Sequence, residues 1–308
     1  MTRLVLPAAL LLLTTFASAQ EGPTPTQALV TVESKNPASP TAADLTLKVN
    51  NKPAELTGFT RVVPTSAQVA ILIDDGLRQS VANQLGDIRK FIQSLAPGTE
   101  IFVGYMQNGR IVTAQPFTTS YESAAQSLRI PFGGIGQSAS PYFCLSDFVK
   151  HWPAGPSAAQ QGPKARFVLM LTNGVDPYNG SDRISNQDSP YVATAITDAQ
   201  RAGVSVSSIY YGDAGMRGGR ASFSGQSYLQ QVAQGTGGRS YYNGSMNPVS
   251  LSPYLDQFDH DISETYIATF NVPASKDLVR VKLSTKLPGV KLRAPDLVSS
   301  GTLRYTME

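Results

Sequence analysis

The amino-acid sequence predicts an α/β protein in which a doubly wound mixed sheet is flanked by a small β unit. Continuous apolar runs at 69–73, 167–171 and 204–210 are typical of strands buried on both faces. Segments with apolar residues at helical spacing separate these runs, an order typical of βαβ units. Strand patterns without helices at 29–59 and 266–293 predict the flanking β unit, built from both ends of the chain.

The segments between the buried strands make the sheet mixed. A helix at 81–95 ends at Pro97-Gly98, and strands at 101–106 and 111–117 follow. Asn108-Gly109 between these two strands favours a tight hairpin, so the pair is antiparallel. Further helices are predicted at 121–128, 141–151, 190–202 and 228–234, with an edge strand at 239–242.

Residues 1–19 have the pattern of a cleavable signal peptide. Arg3 is followed by an apolar run at 4–16, which is too short to span the ~30 Å of bilayer hydrocarbon. Ala17-Ser18-Ala19 fits a signal peptidase, so cleavage is expected after Ala19. The mature chain is therefore predicted to be periplasmic or secreted, with no integral membrane segment after signal cleavage.

The predicted organisation has five parts. These are the signal peptide at 1–19, a disordered leader at 20–28, N-terminal β strands at 29–63, an α/β domain at 64–263, and C-terminal β strands at 264–308 that pack with 29–63.

Composition narrows the function further. A formal net charge of +3 is too small to create the basic face that nucleic acids need, so no nucleic-acid partner is expected. The one cysteine, Cys144, excludes an internal disulfide. Its apolar neighbours predict a buried side chain, and a reactive thiol is the alternative.

Three segments resemble a von Willebrand factor A (vWA) domain. They are Ile-Leu-Ile-Asp-Asp-Gly at 71–76, Leu-Met-Leu-Thr-Asn-Gly at 169–174, and Ala-Gln-Gly-Thr-Gly-Gly-Arg-Ser-Tyr-Tyr at 233–242. Their order and spacing carry the resemblance, since each segment alone is common. The flanking strands are similar to those of exported vWA-related proteins of acidobacteria, and the resemblance covers 29–306.

The resemblance implies a divalent-cation site whose ligands are largely replaced here. The family's first loop supplies Asp-x-Ser-x-Ser, and the matching positions are Asp74, Gly76 and Arg78. The threonine of the second loop is matched by Ile135, and the aspartate of the third by Asn173. A degenerate adhesion site that binds no metal and no other cofactor is therefore expected.

Two alternatives stay open for the acidic residues of these loops. In one, oxygen ligands still converge on Mg²⁺, held by Asp74, Asp75 and Asp213 with Ser80, Ser138 and Asp176 nearby. In the other, the carboxylates cap helices or hold loops.

The carboxyl ends of the predicted parallel strands meet at one edge of the sheet, which forms the candidate binding surface. Its proposed binding residues are Asp74, Asp75, Asn173, Asp176, Tyr178 and Asp213. Aromatic and arginine side chains on or near these loops have the composition of interface hot spots: Tyr142, Phe143, Trp152, Tyr178, Tyr210, Tyr211 and Arg217. The alternative is that most of these aromatics are core residues.

No catalytic motif is complete. His151 and His260 do not have metal-ligand spacing, and 136–140 matches a serine nucleophile elbow only in part. The sequence therefore predicts a non-catalytic module of the vWA type that binds or adheres to a protein or cell-envelope component. Two alternatives remain: a structural protein that assembles by strand addition, and an unrecognised hydrolase.

Overall fold

The computed structural model describes residues 23–134, 137–157, 164–179, 188–212, 218–244, 247–273 and 275–301. Its strands are β1 Thr24–Ser34, β2 Leu45–Val49, β3 Lys52–Ala54, β4 Leu56–Arg61, β5 Ala67–Asp74, β6 Glu100–Gln107, β7 Arg110–Thr118, β8 Ala165–Thr172, β9 Val204–Tyr210, β10 Ser240–Tyr241, β11 Thr265–Val272, β12 Val279–Thr285, β13 Val290–Arg293 and β14 Leu297–Val298. Its helices are α1 Leu85–Ser94, α2 Tyr121–Gln126, α3 Pro141–Lys150, α4 Pro190–Arg201, α5 Gly218–Thr236 and α6 Ser252–Ser263. The predicted signal peptide, Ile135, Asp213 and Arg217 lie outside the described residues.

The central sheet has six strands in the order β10-β9-β8-β5-β6-β7. All neighbours are parallel except β6 and β7, which form the predicted antiparallel hairpin. Helices α1, α2 and α6 cover one face, and α3, α4 and α5 cover the other. The α/β class with a doubly wound mixed sheet is therefore confirmed.

Local sequence explains the main turns and helix starts. Asn108 and Gly109 both have positive φ, 46° and 76°, which is the backbone conformation that a tight hairpin requires. The Ser189 side chain accepts hydrogen bonds from the N–H groups of Tyr191 and Val192 and so caps α4.

The flanking β unit consists of two four-stranded sheets, β13-β1-β11-β4 and β14-β12-β2-β3. Strand β1 lies between β11 and β13, so the beginning of the chain pairs with its end. The sheets share an apolar core that includes Leu47, Phe270 and Val281.

The disordered leader predicted at 20–28 is wrong from Thr24 onward. Strand β1 begins there, and 24–28 pair with 268–272 of β11. The segment is polar and contains Pro25, so it has no strand pattern of its own, and tertiary pairing determines its conformation.

Helix α6 and the length of α5 also differ from the sequence prediction. Helix α5 begins at Gly218, ten residues before the predicted start at Tyr228. Helix α6 was not predicted at all, although it supplies Leu255 and Phe258 to the core.

An ion-pair network joins the β unit to the α/β domain. Arg239, next to β10, pairs with Glu33 of β1 at 2.6 Å and with Asp261 of α6 at 3.0 Å. Arg293 of β13 contacts the same two carboxylates at 2.9 and 2.6 Å. Both arginines therefore bridge the two carboxylates, which fixes the β unit against the central sheet.

Candidate functional site at the carboxyl edge of the central sheet

The carboxyl ends of β5, β6, β8 and β9 lie along one edge of the central sheet, as expected for parallel neighbours. The loops that follow these strands contain the described members of the predicted site. Strand β5 ends at Asp74, the first of the two adjacent aspartates.

Asp74 is buried and holds two strands and a turn together. Its Oδ2 accepts a hydrogen bond of 2.6 Å from the Thr172 hydroxyl at the end of β8. Its Oδ1 accepts a bond of 2.9 Å from the N–H of Gly76. Asp74 is 2% exposed, so it stabilises the loop from within, in agreement with the alternative in which the carboxylates hold loops.

Asp75 points the other way and forms a buried ion pair with Arg129. The guanidinium donates to both carboxylate oxygens, at 2.7 and 2.8 Å. The Phe132 N–H donates to Oδ1 at 3.0 Å, and the Gln107 amide donates to Oδ2. The Asp75 side chain is fully buried, whereas that of Arg129 is 33% exposed.

Two aromatic rings enclose the Arg129 guanidinium. Its central carbon lies 3.8 Å from the centroid of the Tyr105 ring and 4.2 Å from that of Phe132. The Tyr105 hydroxyl also donates to the Arg129 carbonyl and accepts from the Arg129 N–H. Both the side chain and the backbone of Arg129 are thereby held in place.

The pair stays charged at neutral pH. Burial raises the pKa of Asp75, but the hydrogen bonds from Arg129, Gln107 and the Phe132 N–H outweigh it and hold that pKa below the usual value. The hydrogen bonds to Asp75 raise the pKa of the Arg129 guanidinium. A fixed internal cation therefore neutralises this carboxylate.

The described loop residues depart from the divalent-cation site that the vWA resemblance implies. A Cβ at Gly76, where the family has serine, would lie 3.1 Å from the Gly134 carbonyl oxygen and 3.2 Å from Asp74 Oδ1. Arg78 is exposed at the start of the next turn. Across the residues that the structure describes, no group of three or more histidine, cysteine, aspartate or glutamate side chains is placed to hold a metal ion.

The third loop is held by its own polar side chains. Asn173 Oδ1 accepts from the N–H of Val175 at 2.9 Å. Asp176 is fully buried and accepts from the Ser189 hydroxyl at 2.9 Å and from the Tyr178 N–H at 3.3 Å. Asn173 and Asp176 therefore shape this loop.

The aromatic residues named from the sequence separate into core and surface. Tyr142, Tyr210 and Tyr211 are buried, as the alternative expected. Tyr178 is 60% exposed, and the centroid of its ring lies 5.3 Å from that of the partly exposed Phe143 ring.

Trp152 does not belong to this surface. Its indole N–H donates to Gln68 near the start of β5, at the opposite edge of the sheet. Helix α3 begins at the carboxyl edge and carries the chain across the sheet, which places Trp152 at the amino edge.

Sequence reasoning missed Arg129, Ile130 and Phe132. The structure places them beside the predicted residues, with Ile130 49% and Phe132 63% exposed. Their segment lies between a short helix and a glycine-rich loop and has no motif. The one local signal is an arginine between two apolar residues, Leu128 and Ile130.

Cys144 is buried, as predicted. Burial raises the pKa of its thiol, whose Sγ contacts the Ser138 carbonyl oxygen at 3.4 Å. The reactive-thiol alternative is therefore disfavoured.

No protein-family model matches the chain, and no curated protein matches it either. Similar solved structures include proximal thread matrix protein 1 from the mussel byssus, with a TM-score of 0.43 and 18% identity over 67% of this chain and 48% of that protein. A von Willebrand factor type A protein from Catenulispora acidiphila has a TM-score of 0.42 and 12% identity over 92% of this chain and 75% of that protein. The PilB minor pilin from Streptococcus sanguinis has a TM-score of 0.41 and 15% identity over 69% of this chain and 64% of that protein. The chain spans about half the length of the mussel protein. At these scores the likenesses assign neither a family nor a function.

Within the described ranges, no helix combines the length and apolar composition needed to cross a bilayer.

Proposed function

We propose that the chain is a non-catalytic, metal-independent binding module of the vWA type, which contacts a protein partner through the loops at the carboxyl edge of its central sheet. One observation carries the proposal. The described carboxylates of this edge accept hydrogen bonds from the protein itself, whereas Phe132 and Tyr178 project their rings into solvent. The signal peptide predicted at 1–19 supports a partner outside the cytoplasm.

The ion pair supports independence from metal. A hard divalent cation needs several carboxylate, hydroxyl or water oxygens around it. Asp75 already binds a guanidinium through both oxygens, and Asp74 accepts bonds on both of its oxygens. A cation bound there would have to displace protein donors.

The exposed rings support protein binding. Aromatic and arginine side chains dominate the energetics of protein interfaces. Phe132 is held by its backbone N–H and by its contact with Arg129, so little conformational entropy remains to be lost when a partner binds.

Titration with divalent cations tests metal independence. We expect Mg²⁺, Mn²⁺ and Ca²⁺ to give no heat of binding by calorimetry and no change in the unfolding temperature of the mature protein. Micromolar binding that Asp74→Ala abolishes would overturn this part of the proposal.

Capture of a partner from envelope extracts tests the binding surface. We expect Phe132→Ala and Tyr178→Ala each to reduce the captured partner about tenfold or more, because hot-spot truncations cost about 2 kcal/mol. Val63→Ala is the control, since Val63 is 53% exposed but precedes β5 at the opposite edge. Capture that is as strong with both loop variants as with the wild type argues against the loop surface.

Assembly by strand addition is the second candidate. The β unit would provide the pairing edge, and its sheets have β13, β4, β14 and β3 at their edges. Strand β3 contains Pro53, and the pairing of β4 with β11 has a register shift. Proline and bulges are features that block edge pairing. Light scattering would distinguish the candidates, because strand addition between copies predicts self-association.

A further inference from the structure

One half of the carboxyl edge is a surface that carries arginine and apolar side chains on adjacent loops. We call it the Arg–Phe surface and define it by Arg78, Arg110, Arg129, Ile130 and Phe132. Its loops contact one another. A Cβ at Gly133 would lie 3.6 Å from the Leu77 carbonyl oxygen, and Gln107, which pairs with Arg110 in the β6–β7 hairpin, donates to Asp75.

The charges exposed on this surface are positive. Arg78 and Arg110 are exposed, and neither forms an ion pair with any residue in the described part of the chain. The two acids of the loop that leads to Arg78, Asp74 and Asp75, are buried and accept hydrogen bonds from the protein itself. This surface therefore presents guanidinium groups to solvent, while the carboxylates of the same loops are buried.

The apolar part of the surface is held in its outward position. The Asp75 carboxylate accepts a hydrogen bond from the backbone N–H of Phe132, and it also accepts hydrogen bonds from both terminal nitrogens of the Arg129 guanidinium. The Gly133 N–H donates to the Asp75 carbonyl at 3.0 Å. A buried ion pair thus stabilises a loop whose apolar side chains, Ile130 and Phe132, stay exposed.

We infer that the Arg–Phe surface binds an acidic segment of a partner protein that also carries an apolar side chain. The partner's carboxylates would pair with Arg78 and Arg110, and its apolar side chain would pack on Phe132 and Ile130. The inference rests on the proposed function and specifies the chemistry of its partner.

A library of random peptides displayed on phage tests the inference with the purified mature protein. We expect the enriched peptides to contain an excess of Asp and Glu together with an aromatic or aliphatic residue. The affinities of synthetic copies are then measured by fluorescence anisotropy for the wild type and for variants.

A matched pair of double charge reversals isolates the arginines. Arg78→Glu with Arg110→Glu should weaken the enriched peptides at least about tenfold. Lys48→Glu with Lys282→Glu changes the net charge equally and should leave affinity unchanged, because these exposed lysines are cross-strand partners in the β unit.

The outcomes separate this inference from the proposed function. Neutral or basic peptides, or equal affinity for both double variants, overturn the inference. If such peptides still lose affinity with Phe132→Ala, the binding surface stands. Peptides unaffected by both Phe132→Ala and Tyr178→Ala overturn the loop surface as well. A library without binders overturns the inference and leaves the capture experiment to decide the proposed function.

Discussion

At the scale of single residues, the Asp75–Arg129 pair determines the chemistry of the carboxyl edge. When a buried carboxylate loses its cationic partner, the free-energy cost of removing its charge from water is no longer offset by the attraction between the two charges. The pair is asymmetric, because the Asp75 side chain is fully buried whereas Arg129 retains one third of its exposure. The two partners should therefore differ in their response to substitution.

Arg129→Met should lower the free energy of unfolding by about 2–4 kcal/mol, because Asp75 would remain buried without its cation. Asp75→Asn should cost less, since Arg129 can still reach water. Urea denaturation measures both, and the double variant gives the coupling energy. Arg78→Met is the control and should stay within about 0.5 kcal/mol, because Arg78 is exposed. Equal effects of Arg129→Met and Arg78→Met would contradict a stabilising pair.

The same pair predicts a dependence on pH. The folded pKa of Asp75 is below its usual value, so its contribution is complete above the ordinary carboxyl pKa of about 4 and is lost as pH falls through the folded pKa. The stability difference between wild type and Asp75→Asn should therefore shrink between about pH 5 and pH 2. Denaturation at several pH values measures it, and a constant difference would exclude this linkage.

The sequence predicts the aspartates of this site but not Arg129, the side chain that neutralises Asp75. Asp74 and Asp75 follow an apolar strand, so their position at the sheet edge can be inferred from local pattern alone. Arg129 lies 54 residues away from Asp75, and only the folded topology brings them together. Tyr178 was predicted on the surface and Phe132 was not, because exposure of a loop aromatic depends on tertiary packing.

At the scale of elements, local signals explain which helices could be predicted. Helix α4 has a local cap in Ser189 and a stop at Gly203, whose φ is 62°. The start of α6 is held instead by Asp87 of α1, which accepts from the Ser250 hydroxyl at 2.7 Å and from the Leu251 N–H at 2.8 Å. The sequence around α6 does contain local start signals, since Pro253 lies in the first turn and the Ser250 hydroxyl accepts from the Ser252 N–H at 3.1 Å. The cap from Asp87 is tertiary and cannot be inferred from the local sequence.

Asp87→Ala should therefore destabilise the protein by about 1 kcal/mol, as loss of a helix cap does. Hydrogen exchange should show faster opening of α6 than in the wild type. Asp256→Ala in the same helix is the control, because Asp256 is exposed. Unchanged exchange in α6 of the Asp87 variant would show that this carboxylate does not hold the helix.

At the scale of the whole molecule, the β unit and the α/β domain share polar and apolar contacts. Glu33 and Asp261 each contact both Arg239 and Arg293, which come from separate parts of the chain. Leu29 of β1 and Ile267 of β11 belong to the same apolar cluster as the strands of the central sheet. The loops at the carboxyl edge thus belong to a domain that packs against strands from both ends of the described chain.

The interior position of β1 has a consequence for how the protein is made. Strand β1 leaves the ribosome long before β11 and β13, the two strands that enclose it. Both of its edges remain unpaired until the last strands have been synthesised, and such long-range pairing is slow. Folding of the β unit must therefore finish late, and a chain truncated before Thr265 would leave β1 open to proteases and to aggregation.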